Sequence, residues 1–125
     1  MKILICEDEE MLLASLKFRL NKRGNEVETV KDGAEAKAFL KNEMPDCVIA
    51  DIMMPNYNGI KLLKYIRNTL KSDVPVIMIS ALENDDLIHE AFKYGANDFI
   101  AKPFKPTELV IRIDRLETQR RRATT

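Results

Sequence analysis

Ile3-Leu4-Ile5-Cys6-Glu7-Asp8-Glu9-Glu10 carries an unbroken apolar run straight into four carboxylates. Apolar residues without polar alternation mark a strand buried on both faces, as a parallel sheet requires. The acids that follow mark where the chain leaves the core. The same pattern recurs at Cys47 to Ala50, Val76 to Ile79 and Phe99 to Ala101, so these are read as strands buried on both faces. Val27 to Val30, within Glu26-Val27-Glu28-Thr29-Val30, alternates instead and is the natural edge strand.

Helical periodicity fills the intervals. Glu10 to Arg23 places Leu13, Leu16 and Leu20 on one face and stops at Gly24. After the Asp32-Gly33 turn, Ala34 to Glu43 forms a second helix that Pro45 ends, and Ile60 to Leu70 forms a third. Asn84 or Asp85 caps a fourth that reaches Tyr94 and ends at Gly95. Pro106 opens the last, with Leu109, Ile113 and Leu116 inward. Five strand–helix repeats predict an α/β fold, a five-stranded parallel doubly wound sheet with right-handed crossovers. Residues 1–118 make one domain. Residues 119–125, with Arg120-Arg121-Arg122, are a basic tail that suits a helix C-terminus or the start of a linker.

Composition narrows the function. In 125 residues, 20 Lys and Arg balance 20 Asp and Glu, which removes the simple electrostatic case for nucleic acid. No apolar run spans a bilayer and no signal peptide opens the chain, so a soluble cytoplasmic protein without membrane contact is expected. Cys6 and Cys47 sit inside apolar runs and are read as core residues, and the single histidine, His89, as a solvated helix residue. Function must therefore rest on a local site.

In such a sheet, ligands gather beyond the carboxyl ends of the strands, where strand order reverses. Those ends bear Glu7, Asp8, Asp51, Ser80 and Lys102. Two carboxylates 4 Å apart repel by about 4 kcal/mol at an effective dielectric of about 20, a cost that a hard divalent cation relieves. Oxygen ligands without His or Cys select Mg²⁺, for which Mn²⁺ can substitute. Asp8 and Asp51 are read as direct ligands, Glu7 as a direct or water-mediated one, and a backbone carbonyl near Met53 completes the protein's share. Glu9 and Glu10 are assigned to the helix dipole. Mg²⁺ commonly handles phosphate, so Asp51 is placed to be an oxygen nucleophile that becomes an aspartyl phosphate. Ser80 could donate to a phosphoryl oxygen, and Lys102 could pair first with Asp51 and then with the phosphoryl group.

Four stretches in order carry a family likeness: Ile3 to Glu9; Asp51-Ile52-Met53-Met54-Pro55-Asn56-Tyr57-Asn58-Gly59; Met78-Ile79-Ser80-Ala81; and Gly95-Ala96-Asn97-Asp98-Phe99-Ile100-Ala101-Lys102-Pro103-Phe104. Over residues 1–118 the chain resembles the receiver domain of bacterial two-component response regulators. The resemblance implies a flavodoxin-like strand order 2-1-3-4-5. It implies that Asp51 takes a phosphoryl group from a sensor histidine kinase, with Glu7 and Asp8 as the acidic pair, Ser80 as hydroxyl switch, Lys102 as the site lysine and Phe99 as the switch aromatic. A cis Lys102-Pro103 bond is also implied. Output through the helix 4, strand 5 and helix 5 face, and homodimerisation there through Lys93, Asp98, Arg112 and Asp114, follow as expectations. The last helix resembles those preceding a winged-helix transcription domain, so DNA would be met only through an output domain absent from this chain; a free-standing receiver is the alternative. Such a protein catalyses its own phosphorylation and dephosphorylation and is not a turnover enzyme.

Three departures from the family pattern stand out. Glu7 replaces the more usual Asp, which favours a water-mediated contact. Phe99 lacks the hydroxyl of the frequent Tyr. Met53 and Leu82 are apolar where a polar side chain could orient an attacking water, which predicts a long-lived phosphoryl state. Rival readings lack key residues: an aspartate-nucleophile phosphatase needs a second Asp at Met53, and a nucleotide or flavin module needs a phosphate-cradling loop where Glu7 to Glu10 stand. A degenerate docking receiver is disfavoured because the whole site is present.

Overall fold

The computed structural model describes residues 1–81 and 85–124. Five strands alternate with five helices: β1 (Lys2–Cys6), α1 (Glu10–Lys22), β2 (Glu26–Val30), α2 (Gly33–Asn42), β3 (Cys47–Asp51), α3 (Gly59–Lys64), β4 (Val76–Ser80), α4 (Asp85–Lys93), β5 (Asp98–Ala101) and α5 (Pro106–Thr124). All strand pairs are parallel, in the order β2-β1-β3-β4-β5. The expected sheet is therefore the one observed.

Strand alternation divides the core. Leu4, Cys6, Val48, Ala50, Val76 and Met78 pack with α2, α3 and α4, whereas Ile3, Ile5, Ile49, Ile77 and Ile79 pack with α1 and α5. Both cysteines are buried as free thiols, and burial pushes the Cys47 thiol up to about 12. His89 is exposed, as read. No helix among the described residues is long and apolar enough to cross a membrane.

Local chemistry sets the helix starts. Asp32 accepts from the Glu35 N–H at 2.8 Å, and Glu35 Oε2 in turn accepts from the Lys31 N–H at 2.7 Å, a reciprocal cap for α2. Asn58 caps α3 by accepting from the Lys61 N–H at 2.9 Å. For α4, Asp85 begins the helix, while Asn84 and Leu82 lie outside the described residues.

Four expectations need correction or sharpening. Strand β5 is not buried on both faces: it is the second edge, and only Ile100 is fully buried within it. The third helix turns π-helical at Tyr65–Thr69 rather than running on regularly to Leu70. Helix α5 continues to Thr124, so of the two readings of Arg120-Arg121-Arg122, a helix C-terminus or the start of a linker, the helix C-terminus is the one observed. Asp114 does not belong to the α4–β5–α5 face, because it pairs with Arg23 beside α1; α5 lies between two neighbours, and Asp114 and Arg112 point to different ones.

Candidate functional site

The carboxyl ends of β1, β3, β4 and β5 meet at one rim of the sheet. Main-chain bonds continue the register past the strands: Glu7 N–H donates to Val30 O, Ile52 N–H to Ile79 O, and Lys102 N–H to Ser80 O, at 2.8–3.0 Å. Each functional side chain is thus fixed by a strand end rather than by a free loop. The Lys102-Pro103 bond is cis, as the resemblance implied.

Two glycines shape the approach to Asp51. A Cβ on Gly59 would fall 2.5 Å from the Asp51 carbonyl oxygen, and one on Gly33 would fall 1.8 Å from the Tyr57 carbonyl oxygen. The connection from β3 to α3 consequently lies flat against its own strand end and against the start of α2. Asn56, at φ 68°, donates to Asp32 Oδ2 at 3.2 Å and fastens the same connection from the other side.

Asp51 is 3% exposed and Glu7 is fully buried, whereas Asp8 faces solvent. The three offer carboxylate oxygens within 4.8 Å of one another. Lys102 Nζ donates to Glu7 Oε1 and to Asp51 Oδ2, each at 2.6 Å, and the Met53 N–H holds Asp51 Oδ1 at 2.8 Å. Glu7 Oε2 is buried without a hydrogen-bond partner. One ammonium therefore serves two buried carboxylates and leaves one oxygen unmatched.

Titration reflects that shortfall. Burial, reinforced by the neighbouring Asp51 carboxylate and opposed by Lys102, pushes Glu7 up to about 7. Burial alone would lower Lys102, but its bonds to Asp51 and Glu7 more than reverse this and raise it above its ordinary value. Buried, imperfectly balanced titratable groups at a strand rim are the signature of a site built for a ligand or a reaction.

Of the residues read from sequence, Glu7, Asp8, Asp51 and Lys102 are brought together, and Ser80 is fully buried at the last position of β4, beside β3. Phe99 is half-buried on β5 and packs against the α2–α3–α4 side of the core. Glu10 forms an ion pair with Lys31 at 2.9 Å, and Glu9 stands 4.0 Å from Lys102 Nζ. Sequence reading missed Arg67, which bonds to Gly95 O, Ser72 O, Val74 O and Asn97 Oδ1 at 2.7–3.2 Å. Set between Ile66 and Asn68, it carried no local signal.

Residues 3–114 match the model of the response regulator receiver domain. The chain belongs to that family. The receiver is 43% identical over 112 residues to the Guillardia theta protein named Probable transcriptional regulator ycf27, covering 90% of this chain and 43% of the relative. It is 41% identical over 115 residues to the transcriptional regulatory protein RprY of Bacteroides fragilis, covering 91% of this chain and 48% of RprY. The receiver thus spans less than half the length of these two relatives. Among solved structures, the Francisella response regulator 1452 receiver domain superposes with a TM-score of 0.87 at 32% identity, over 94% of this chain and 97% of that one.

Proposed function

We propose that this receiver is a phosphoacceptor in two-component signalling and that Asp51 is the acceptor. The observation that carries the reading is the Asp51 carboxylate, nearly buried at a strand end, with one oxygen on the Met53 N–H and the other on Lys102. A carboxylate oxygen of Asp51 attacks phosphorus in a phosphohistidine of a sensor histidine kinase. The P–N bond breaks as the P–O bond forms, and the released imidazole takes a proton. Lys102 passes from the carboxylate to the phosphoryl oxygens, and Ser80 donates to another of them.

Glu7, Asp8, Asp51 and the Met53 carbonyl would hold Mg²⁺, or Mn²⁺ in its place. The buried orphan oxygen of Glu7 and the all-oxygen donor set fit a hard divalent cation. The cation would offset the charge gathered as the phosphoryl group arrives. Met53, 58% exposed and apolar beside the site, offers no group to orient an attacking water, which favours a long-lived phosphoryl state.

Phosphorylation adds about one negative charge and new acceptor oxygens. Ser80 moves toward them and Phe99 turns inward, which biases the α4–β5–α5 face. There Arg112 bonds Asp98 Oδ1 at 2.5 Å and Phe99 O at 3.3 Å, so the switch aromatic and the surface ion pair share one guanidinium. Exchange of that pair with a second copy would give a phosphorylation-dependent homodimer. The protein acts in the cytoplasm, without turnover of an external substrate, and controls transcription through an output domain outside this chain. Intact mass after incubation with a small acyl phosphate and Mg²⁺ tests the core of this reading. We expect a gain of one phosphoryl group that Asp51→Asn abolishes; no gain in the unmodified protein refutes it.

A further inference from the structure

A second charged surface lies on the α2–α3 side, away from the Lys102 cluster. Lys37 of α2, Lys61 and Lys64 of α3, Tyr65 of the π turn and Tyr57 of the β3–α3 connection line a groove of about 330 Å³, whose other lining residues are neutral and polar. The Lys37 ammonium lies 5.5 Å from the Tyr57 ring centroid and 5.0 Å from that of Tyr65. Lys64 lies 4.2 Å from the ring of Tyr94 and 3.8 Å from Glu90. All three tyrosines of the chain therefore carry lysines on this side.

The charge balance is incomplete. Among the described residues, neither Lys37 nor Lys61 has a carboxylate within ion-pair distance, in contrast to Lys2, Arg23, Lys31, Lys102, Arg112 and Arg120. Lys37 is half-buried, so its charge is partly withdrawn from water and rests on ring faces alone. Aromatic rings attract a cation without neutralising it, so the groove keeps its positive potential and holds its lysines in place.

We infer that this groove is a docking site for an acidic segment of a partner protein, whose carboxylates pair with Lys37 and Lys61 over the Tyr57–Tyr65 floor. Nucleic acid is the poorer occupant. Base stacking needs open aromatic faces, whereas Lys37 lies over both floor rings, and a chain of zero net charge provides no broad basic track for a phosphate backbone. The inference is independent of phosphorylation at Asp51. It does bring the partner against the β3–α3 connection, since Tyr57 lies six residues beyond Asp51 and its backbone presses on Gly33.

The test is titration of the ¹⁵N-labelled domain with a short polyglutamate peptide at low salt, with an oligothymidylate strand as comparator. We expect amide shifts centred on Lys37, Tyr57 and Lys61, weakened by salt, with affinity falling about tenfold or more in a Lys37→Gln, Lys61→Glu variant. Lys61→Glu alone, at an exposed helix position, should also weaken binding and guards against misfolding of the double variant. Replacement of Lys17 on α1 should leave binding unchanged. Shifts centred elsewhere, unchanged affinity in Lys61→Glu, or tighter binding of the oligonucleotide at these lysines would overturn the proposal.

Discussion

The two ends of the sheet each hold a partly buried cation, and they use it in opposite ways. At the amino end, Arg67 meets carbonyl oxygens of Ser72, Val74 and Gly95 and the amide of Asn97, all neutral acceptors. Every hydrogen-bond partner is a neutral oxygen, and the Asp73 carboxylate acts on the guanidinium only through space. At the carboxyl end, Lys102 meets two buried carboxylates and one oxygen stays orphaned. The first arrangement closes a seam. The second keeps an electrostatic deficit that another cation, a proton on Glu7 or a change in Asp51 can relieve.

The largest effect should come from breaking the satisfied end. Arg67→Ala removes the guanidinium from three carbonyl acceptors, while Asn97 Oδ1 keeps the Val76 N–H, and should cost about 3 kcal/mol in urea unfolding followed by circular dichroism, with Mg²⁺ affinity nearly unchanged. A loss below about 1 kcal/mol would mean that the seam closes without the guanidinium.

Next is the pH response of the metal-free protein. Glu7 is raised from 4.5 to about 7, so the fold favours its protonated form. That stabilisation is full below about pH 4.5 and is lost as pH climbs through 7, on the order of 1–3 kcal/mol from this group. Lys102, raised above 10.5, contributes evenly across the same interval and does not mask the slope. Saturating Mg²⁺ should flatten it. An apo stability that rises between pH 5 and 8 after correction with Glu7→Gln would contradict the buried-deficit picture.

A smaller effect of divided sign is expected for Glu7→Gln itself. Removing the excess charge should stabilise the metal-free domain by about 1 kcal/mol at pH 8 while weakening Mg²⁺ binding about tenfold, by calorimetry. If both quantities fall together, Glu7 is a structural residue like Arg67. The smallest change should follow Arg120→Ala, whose exposed pair with Asp46 is worth about 0.5 kcal/mol or less.

The same contrast explains what could be read in advance. The strands announce themselves because continuous apolar runs are local, and Glu7, Asp8, Asp51, Ser80 and Lys102 stand immediately after them, so topology alone brings them together. Arg67 and Lys37 are invisible by that logic. Each looks like a solvated helix residue until distant segments, at Ser72 to Asn97 for one and Tyr57 to Tyr65 for the other, close around it. The Asp114 error is of the same kind, since helical periodicity gives a face but not which neighbour that face meets. The end strand β5 read as buried on both faces because Phe99-Ile100-Ala101 is apolar, and a strand this short carries too few residues to show alternation.

Helix α5 has a mechanical consequence. It starts four residues after Lys102, and Arg120 near its far end pairs at 2.7 Å with Asp46, whose other oxygen accepts from the Lys2 N–H at the opposite rim of the sheet. Nineteen residues at about 1.5 Å each make a rod of about 28 Å. Its first half is held against the sheet by the buried Leu109 and Ile113. Anchored at both rims, such a rod would couple a displacement at the Lys102 end to the Asp46 end.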